Sequence, residues 1–175
     1  MDAFQHSFIF SPGTWSGEGK ILLSMVEEDL LFNTGWSIQV RDFAGQVICQ
    51  QMIQIQGLGD QMCNRMTFYD FDPKGFTVQM ENPNVGQVIG RGVFDDKMIG
   101  WEFRDSQKSF EGFETYTLQS DGSYLMRGEY VTSDQFRTQI EARIILQSAE
   151  APSEEEEEEE QSDGNDGMDG EEGEA

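Results

Sequence analysis

The chain has very few of the residues that build metal sites and nucleophilic centres. It contains one histidine, His6, and two cysteines, Cys49 and Cys63. A Ser-His-Asp or Cys-His arrangement would depend on His6 alone, and neither cysteine has the spacing or the nearby histidine of a zinc or haem site. We therefore expect no catalytic residue, no metal and no cofactor. Both cysteines are expected to be reduced, with a single bridge between them as the alternative.

Long apolar runs are also missing. No stretch approaches the roughly 18 consecutive apolar residues of a membrane-spanning helix. The first ten residues have no basic start before an apolar run and no small-residue cleavage site of the kind that secretory signals carry. These absences predict a single soluble domain in the cytoplasm, long enough to fold around a core of its own.

Positive charge is scarce and unevenly placed. Eleven Lys and Arg oppose 34 Asp and Glu, and all eleven precede Ala149, whereas 14 of the acids follow Ser148. Both parts of the chain repel phosphate backbones, so no direct nucleic-acid binding is expected. Residues 149–175, with the run Glu154–Glu160, are predicted to be a disordered acidic tail after a folded domain of residues 1–148. The tail either solubilises the protein or recruits a basic protein partner.

Alternation of apolar and polar residues with period two is abundant. It is clearest over Phe136–Gln147, Trp36–Arg41, Phe76–Glu81 and Ile99–Arg104, and such alternation is typical of antiparallel strands with one buried face. Turn-forming residues separate the runs and join sequential neighbours. Weaker alternation covers Trp15–Met25, Val47–Ile55, Met62–Phe71, Val88–Phe94, Phe110–Leu118 and Tyr124–Val131.

This pattern predicts an all-β fold, a single antiparallel up-and-down meander of about ten strands. An open sheet of that length would expose two edges, so we expect closure into a barrel, with a two-sheet sandwich as the alternative.

The predicted inward faces are rich in aromatic and thioether side chains, which either line a ligand cavity or fill a core. Glu114 and Asn64 share these apolar faces, and each needs a neighbour, a water or a ligand as partner. The candidate ligand-binding residues are Phe68, Phe76, Met80, Trp101, Phe103, Glu114, Tyr116, Tyr124 and Met126.

The first predicted strand opens with Gly13-Thr14-Trp15. A Gly-x-Trp at the start of a β-meander resembles the calycin superfamily, which includes lipocalins, fatty-acid-binding proteins and nitrobindin-like barrels, and the resemblance spans about Phe8 to Gln147. It implies a calycin-like barrel that Trp15 closes beneath an arginine of the last strand. Arg137 and Arg143 are the candidates for this cation stacked on an aromatic ring.

Three features depart from the pattern of that superfamily. The Arg-x-Tyr with which fatty-acid-binding proteins hold a carboxylate is replaced by Arg137-Thr138-Gln139 and Arg143-Ile144-Ile145. No histidine follows His6, which disfavours haem, and Val26–Asp29 leaves no room for a helical lid. The resemblance still implies a non-enzymatic barrel that binds a small hydrophobic or amphipathic ligand. The alternatives are a module whose acidic tail recruits a basic partner and a small barrel enzyme that uses Glu114 or an aspartate as base.

Overall fold

The protein, seen in a computed structural model, is described over residues 6–132 and 137–153. These ranges form ten antiparallel strands and no helix, so they include none that could span a membrane. Consecutive strands pair, and the last pairs with the first to close a barrel. The predicted all-β class, the ten-strand meander and its closure are confirmed, and the sandwich is excluded. The strands are β1 (Gly13–Leu23), β2 (Leu30–Ile38), β3 (Val47–Ile55), β4 (Gln61–Asp72), β5 (Gly75–Asn82), β6 (Gly86–Phe94), β7 (Met98–Asp105), β8 (Phe110–Leu118), β9 (Tyr124–Val131) and β10 (Arg137–Ser148).

Two predicted features involve residues that the structure does not describe. Phe136, with which the predicted last strand begins, and the acidic run Glu154–Glu160 lie outside the described residues. Strand β10 ends at Ser148, and the division between a domain of residues 1–148 and a tail of residues 149–175 stays a prediction.

Five consecutive hairpin turns, from β4 to β9, use the same local device. A side-chain oxygen at the end of the strand or within the turn accepts the backbone N–H two residues later, which bends the chain before the next strand. The short polar side chains that do this are those of Asp72, Asn82, Asp95, Asp105 and Asp121. The meander therefore follows from local chemistry at each turn.

The seam between β1 and β10 closes the barrel. Thr14–Leu23 pairs with Thr138–Ser148, with one shift of register between Thr14 and Trp15. Gly13 begins this seam with a φ of 151°, and a Cβ there would collide with the carbonyl oxygen of Ser148. Only glycine permits the two strands to approach so closely at this point.

The barrel end at which β1 begins is closed by the residues before that strand. Phe8 and Ile9 are fully buried, and Ile9 takes a φ of 58°, which is rare for a β-branched residue. The aromatic ring of Phe8 lies 4.7 to 5.6 Å, between ring centroids, from those of Trp15, Trp36, Tyr116 and Tyr124. We call residues 6–11 the N-terminal plug.

His6 fastens the plug to two parts of the barrel. Its ring is buried, with Nε2 2.7 Å from the carbonyl oxygen of Asp95 and Nδ1 3.1 Å from the hydroxyl of Tyr124. Because a carbonyl oxygen only accepts hydrogen bonds, Nε2 is the donor to Asp95. The single histidine thus has a structural position between the β6–β7 turn and β9.

The stack of Trp15 on an arginine, which the calycin resemblance implies, is not formed. Trp15 points into the barrel and packs edge-on against Phe8 and Tyr124. Arg137 and Arg143 are exposed and form ion pairs with acids of neighbouring segments. The physical reason is strand alternation, which turns their neighbours on β10 inward and both arginines outward.

Replacing Phe8 with alanine should destabilise the protein strongly, because the ring is fully buried among four aromatic side chains. We expect Phe8→Ala to lower the free energy of unfolding by about 3 to 5 kcal/mol, measured by urea denaturation. The control is Phe43→Ala, at a fully exposed position between β2 and β3, which should leave stability nearly unchanged. Equal effects of the two substitutions would show that the plug is not part of the core.

Candidate functional site

The barrel end opposite the plug contains a cavity of about 400 Å³. Its lining reaches exposed residues of the rim such as Asn84 and Thr132, so the cavity opens to solvent. The barrel is therefore filled in one half and hollow in the other. The apolar side chains of the lining are Ile21, Leu23, Leu30, Phe32, Trp36, Ile53, Ile55, Met62, Met80, Val85, Phe110, Met126, Ile140 and Ile144.

All nine predicted ligand-binding residues point into the barrel and are buried. Four of them line the cavity, namely Met80, Glu114, Tyr116 and Met126. The other five are absent from its lining and pack within the core, among them Phe68, Phe76 and Trp101, whose rings contact one another edge-on. Tyr124 contacts the plug, and Phe103 packs against Phe110.

Three amide side chains on adjacent strands form a hydrogen-bonded row along one wall of the cavity. Asn82 donates to Asn64 at 2.6 Å, and Asn64 donates to Gln51 at 2.9 Å. The direction of the row is set at its outer end, where the side-chain oxygen of Asn82 accepts the backbone N–H groups of Asn84 and Val85. That oxygen is thereby occupied as an acceptor, which leaves the nitrogen to donate to the next amide.

The row ends at Gln51 with an amide nitrogen. The oxygen of Gln51 accepts from Asn64, so its Nε2 donors are left over. No acceptor for them is found among the described residues, and Gln51 lines the cavity. This wall therefore offers a hydrogen-bond donor.

A carboxyl group lies on the wall formed by β8 and β9. Tyr116 and Tyr130 donate hydrogen bonds to the two oxygens of Glu114 at 2.7 and 2.6 Å. Burial raises the pKa of Glu114 above the ordinary 4.5 and outweighs the two phenol hydrogen bonds, which act in the opposite direction. Burial, followed by the proximity of Glu114, raises the pKa of both tyrosines as well.

Two further polar groups of the cavity lining, both on β2, have no partner within the described structure. They are the hydroxyl of Thr34 and the indole N–H of Trp36. Trp36 is the cross-strand neighbour of Gln51, so unpartnered donors lie side by side on β2 and β3. A buried polar group without a partner costs about 1 to 3 kcal/mol.

Sequence reasoning identified Glu114 and Asn64 as inward polar residues but missed the others. Thr34, Gln51 and Tyr130 occupy inward positions of the alternation in β2, β3 and β9, so a search for polar residues at apolar positions would have found them. Asn82 continues the inward alternation of Phe76, Val78 and Met80, but it reads as an ordinary turn residue before proline and was overlooked for that reason.

The structure contains little else that suggests chemistry. The described residues include no group of three or more His, Cys, Asp and Glu that could hold a metal ion. Both cysteines are free thiols, and burial raises the pKa of Cys49. The polar groups of the cavity are therefore the candidate site.

No protein-family model and no curated protein matches the chain. Among solved structures, an S-type phycobiliprotein lyase from Guillardia theta is similar, with a TM-score of 0.61 and 9% sequence identity over 80% of this chain and 90% of that chain. The likeness shows a shared barrel fold. At this identity it carries no information about individual side chains.

Glu114 should make stability depend on pH. Because burial raises its pKa, the folded protein holds a proton that the unfolded chain releases, and stability is lost as the pH rises from 4.5 through the folded-state pKa. We expect the free energy of unfolding of the unmodified protein to fall relative to that of Glu114→Gln over this range. Urea denaturation at several pH values between about 4 and 8 measures the difference.

Glu111→Gln, at an exposed position of the same strand, is the matched control and should leave the pH dependence as it is. If Glu114→Gln and the control had the same pH dependence as the unmodified protein, burial would not govern the titration of Glu114.

Proposed function

We propose that the protein is a non-enzymatic binding protein of calycin type, which holds a small hydrophobic or amphipathic molecule in the cavity. The observation that carries the proposal is the cavity of about 400 Å³, with apolar walls and a few fixed polar groups. Ligand sites in proteins have this character and occupy about 300 to 1,000 Å³. The similar barrel of a phycobiliprotein lyase supports the calycin-type assignment.

The surroundings of Glu114 suit an anchor for a ligand. Both carboxyl oxygens accept hydrogen bonds from phenols, at 2.7 Å from Tyr116 and 2.6 Å from Tyr130. A carboxyl held in this way has a fixed position and can orient a ligand, which supports binding as the role of the cavity.

Blocking the cavity tests the proposal. Ile53 is half-buried in the cavity wall, and a larger side chain there would occupy the ligand's space. We expect the full chain to bind one molecule of Nile red, an uncharged lipophilic fluorophore, and Ile53→Trp to weaken that binding about tenfold or more. Ile89→Trp, at an outward position of β6 that is 57% exposed, is the matched control.

Fluorescence titration gives the dissociation constants, and urea denaturation confirms that both variants are folded. Absence of Nile red binding to the unmodified protein, or equal affinity of the Ile53 variant, would contradict a ligand-binding cavity.

The charge distribution favours a second candidate function, recruitment of a basic protein by the acidic tail. Residues 149–175 carry 14 acids and no Lys or Arg. Such a segment attracts cations through long-range electrostatics that salt screens. This function requires no cavity and is compatible with the first.

Replacement of Glu154–Glu160 with glutamine in the full chain tests the tail at constant length. A decalysine peptide should bind the unmodified protein more tightly than this variant, and added salt should weaken binding, because the seven lost charges supply much of the attraction. Isothermal titration calorimetry at two salt concentrations measures both effects. Equal affinity of the two proteins would rule out the tail as the binding segment.

A further inference from the structure

Every cationic side chain of the protein lies outside the cavity. All 11 Lys and Arg fall within the described residues, and none contributes to the lining. Ten of them are exposed, and Lys20, which is half-buried, pairs with Asp29 at 3.3 Å. The one histidine, His6, is bound to Asp95 and Tyr124 at the plugged end. An anionic head group in the cavity would therefore be buried without a counter-charge, which is costly.

The carboxyl of Glu114 adds to this selectivity. It lines the cavity, and each of its two oxygens accepts only one hydrogen bond from a tyrosine. Because a carboxyl oxygen has two lone pairs, the group retains acceptor capacity for an N–H of a ligand. The wall formed by β8 and β9 thus favours a ligand that donates a hydrogen bond.

The opposite wall favours a ligand that accepts one. The Nε2 donors of Gln51 are left over by the amide row, and Gln51 lines the cavity. Turning the Gln51 amide around would place its nitrogen against the Asn64 nitrogen, and the occupied oxygen of Asn82 keeps Asn64 from turning with it.

The two walls meet over one floor. The ring centroids of Trp36, beside Gln51, and of Tyr116, which binds Glu114, are 6.1 Å apart. Both rings rest on Phe8 of the plug. Gln51 and Glu114 thus border the same aromatic floor and line the same cavity, and the apolar lining extends from there to the rim.

We propose that the cavity selects an amphipathic molecule with an uncharged carboxamide-type head group, whose carbonyl accepts from Gln51 and whose N–H donates to Glu114, and that it discriminates against fatty acids and other anionic amphipaths. The apolar chain of the ligand extends toward the rim. This inference rests on the proposed binding function and specifies the ligand class of the same site.

Matched ligands of one chain length test the proposal on the unmodified full chain. Decanamide and decanoate are titrated near neutral pH against bound Nile red, and decanamide should displace it at a concentration about tenfold or more below that required for decanoate. Methyl decanoate, which has the acceptor and lacks the donor, should lie between them. Equal or stronger displacement by decanoate would overturn the proposed selectivity and leave the binding function intact. Displacement by neither ligand would overturn it as well, whereas failure of Nile red to bind at all would overturn the binding function itself.

One variant tests the donor wall directly. Gln51→Met has a similar length, lacks the N–H donor and adds no charge, so it should raise the concentration of decanamide that displaces Nile red about tenfold. Gln54→Met makes the same change at an exposed position of β3 and should leave that concentration unchanged. If decanamide displaced Nile red equally well from a folded Gln51 variant, Gln51 would not be the group that recognises the head group. The comparison of ligands on the unmodified protein tests the selectivity even if this variant does not fold.

Discussion

The interior of this protein depends on the pairing of β1 with β10. The other strand pairs are hairpins between sequence neighbours, each set by its own turn, whereas this pair joins residues such as Gly17 and Ile144 from opposite ends of the domain. A pairing between such distant residues has a larger entropy cost than any hairpin. It also removes both free edges of the sheet and separates an inside from an outside. Burial of the aromatic core, the plug and the cavity all presuppose that separation.

Within the closed barrel, the N-terminal plug decides which half is filled. Phe8 contacts aromatic residues of β1, β2, β8 and β9, so the plug joins strands on both sides of the barrel. Its volume, together with the core aromatics of β4 to β7, occupies one end and leaves the remaining space at the other. The cavity therefore lies at the end away from the plug, and its floor includes Trp36 and Tyr116, two of the four rings that Phe8 contacts.

The alternation of the sequence was sufficient to predict the number and order of the strands and most of the side chains that face inward. It placed the second strand at Trp36–Arg41, whereas β2 runs from Leu30 to Ile38, and Val40 and Leu146, which were expected to face inward, are exposed. It was insufficient to predict depth along the barrel axis. Phe68 and Met80 both occupy inward positions of the alternation on neighbouring strands. Phe68 nevertheless belongs to the filled half of the barrel, whereas Met80 lines the cavity. Residues before Gly13 have no alternation, so nothing beyond the apolar run Phe8-Ile9-Phe10 indicated a plug.

The arginine expected over Trp15 shows a limit of predicting side-chain contacts from a family resemblance. The alternation of β10 already placed Arg143 on the polar face, between the inward Ala142 and Ile144, while the family resemblance placed it over an inward tryptophan. An arginine on the polar face of β10 cannot also stack on a tryptophan inside the barrel, so the two expectations are incompatible. The alternation of side chains between the two faces is a direct consequence of strand geometry, and it determines that both arginines point outward, against the expectation from the family resemblance. In this chain the plug packs against Trp15 in place of the arginine.

The amide row links a surface turn to the chemistry of the cavity. An isolated Gln51 could present either its oxygen or its nitrogen to a ligand, since the two ends of an amide have nearly the same shape. The β5–β6 turn removes that freedom, because its backbone N–H groups bind the oxygen of Asn82 and each amide then orients the next. The polarity that a ligand meets at Gln51 is thus determined on β5, two strands away, by the same device that forms the hairpin. A turn residue in this barrel therefore contributes to ligand recognition without contacting the head group.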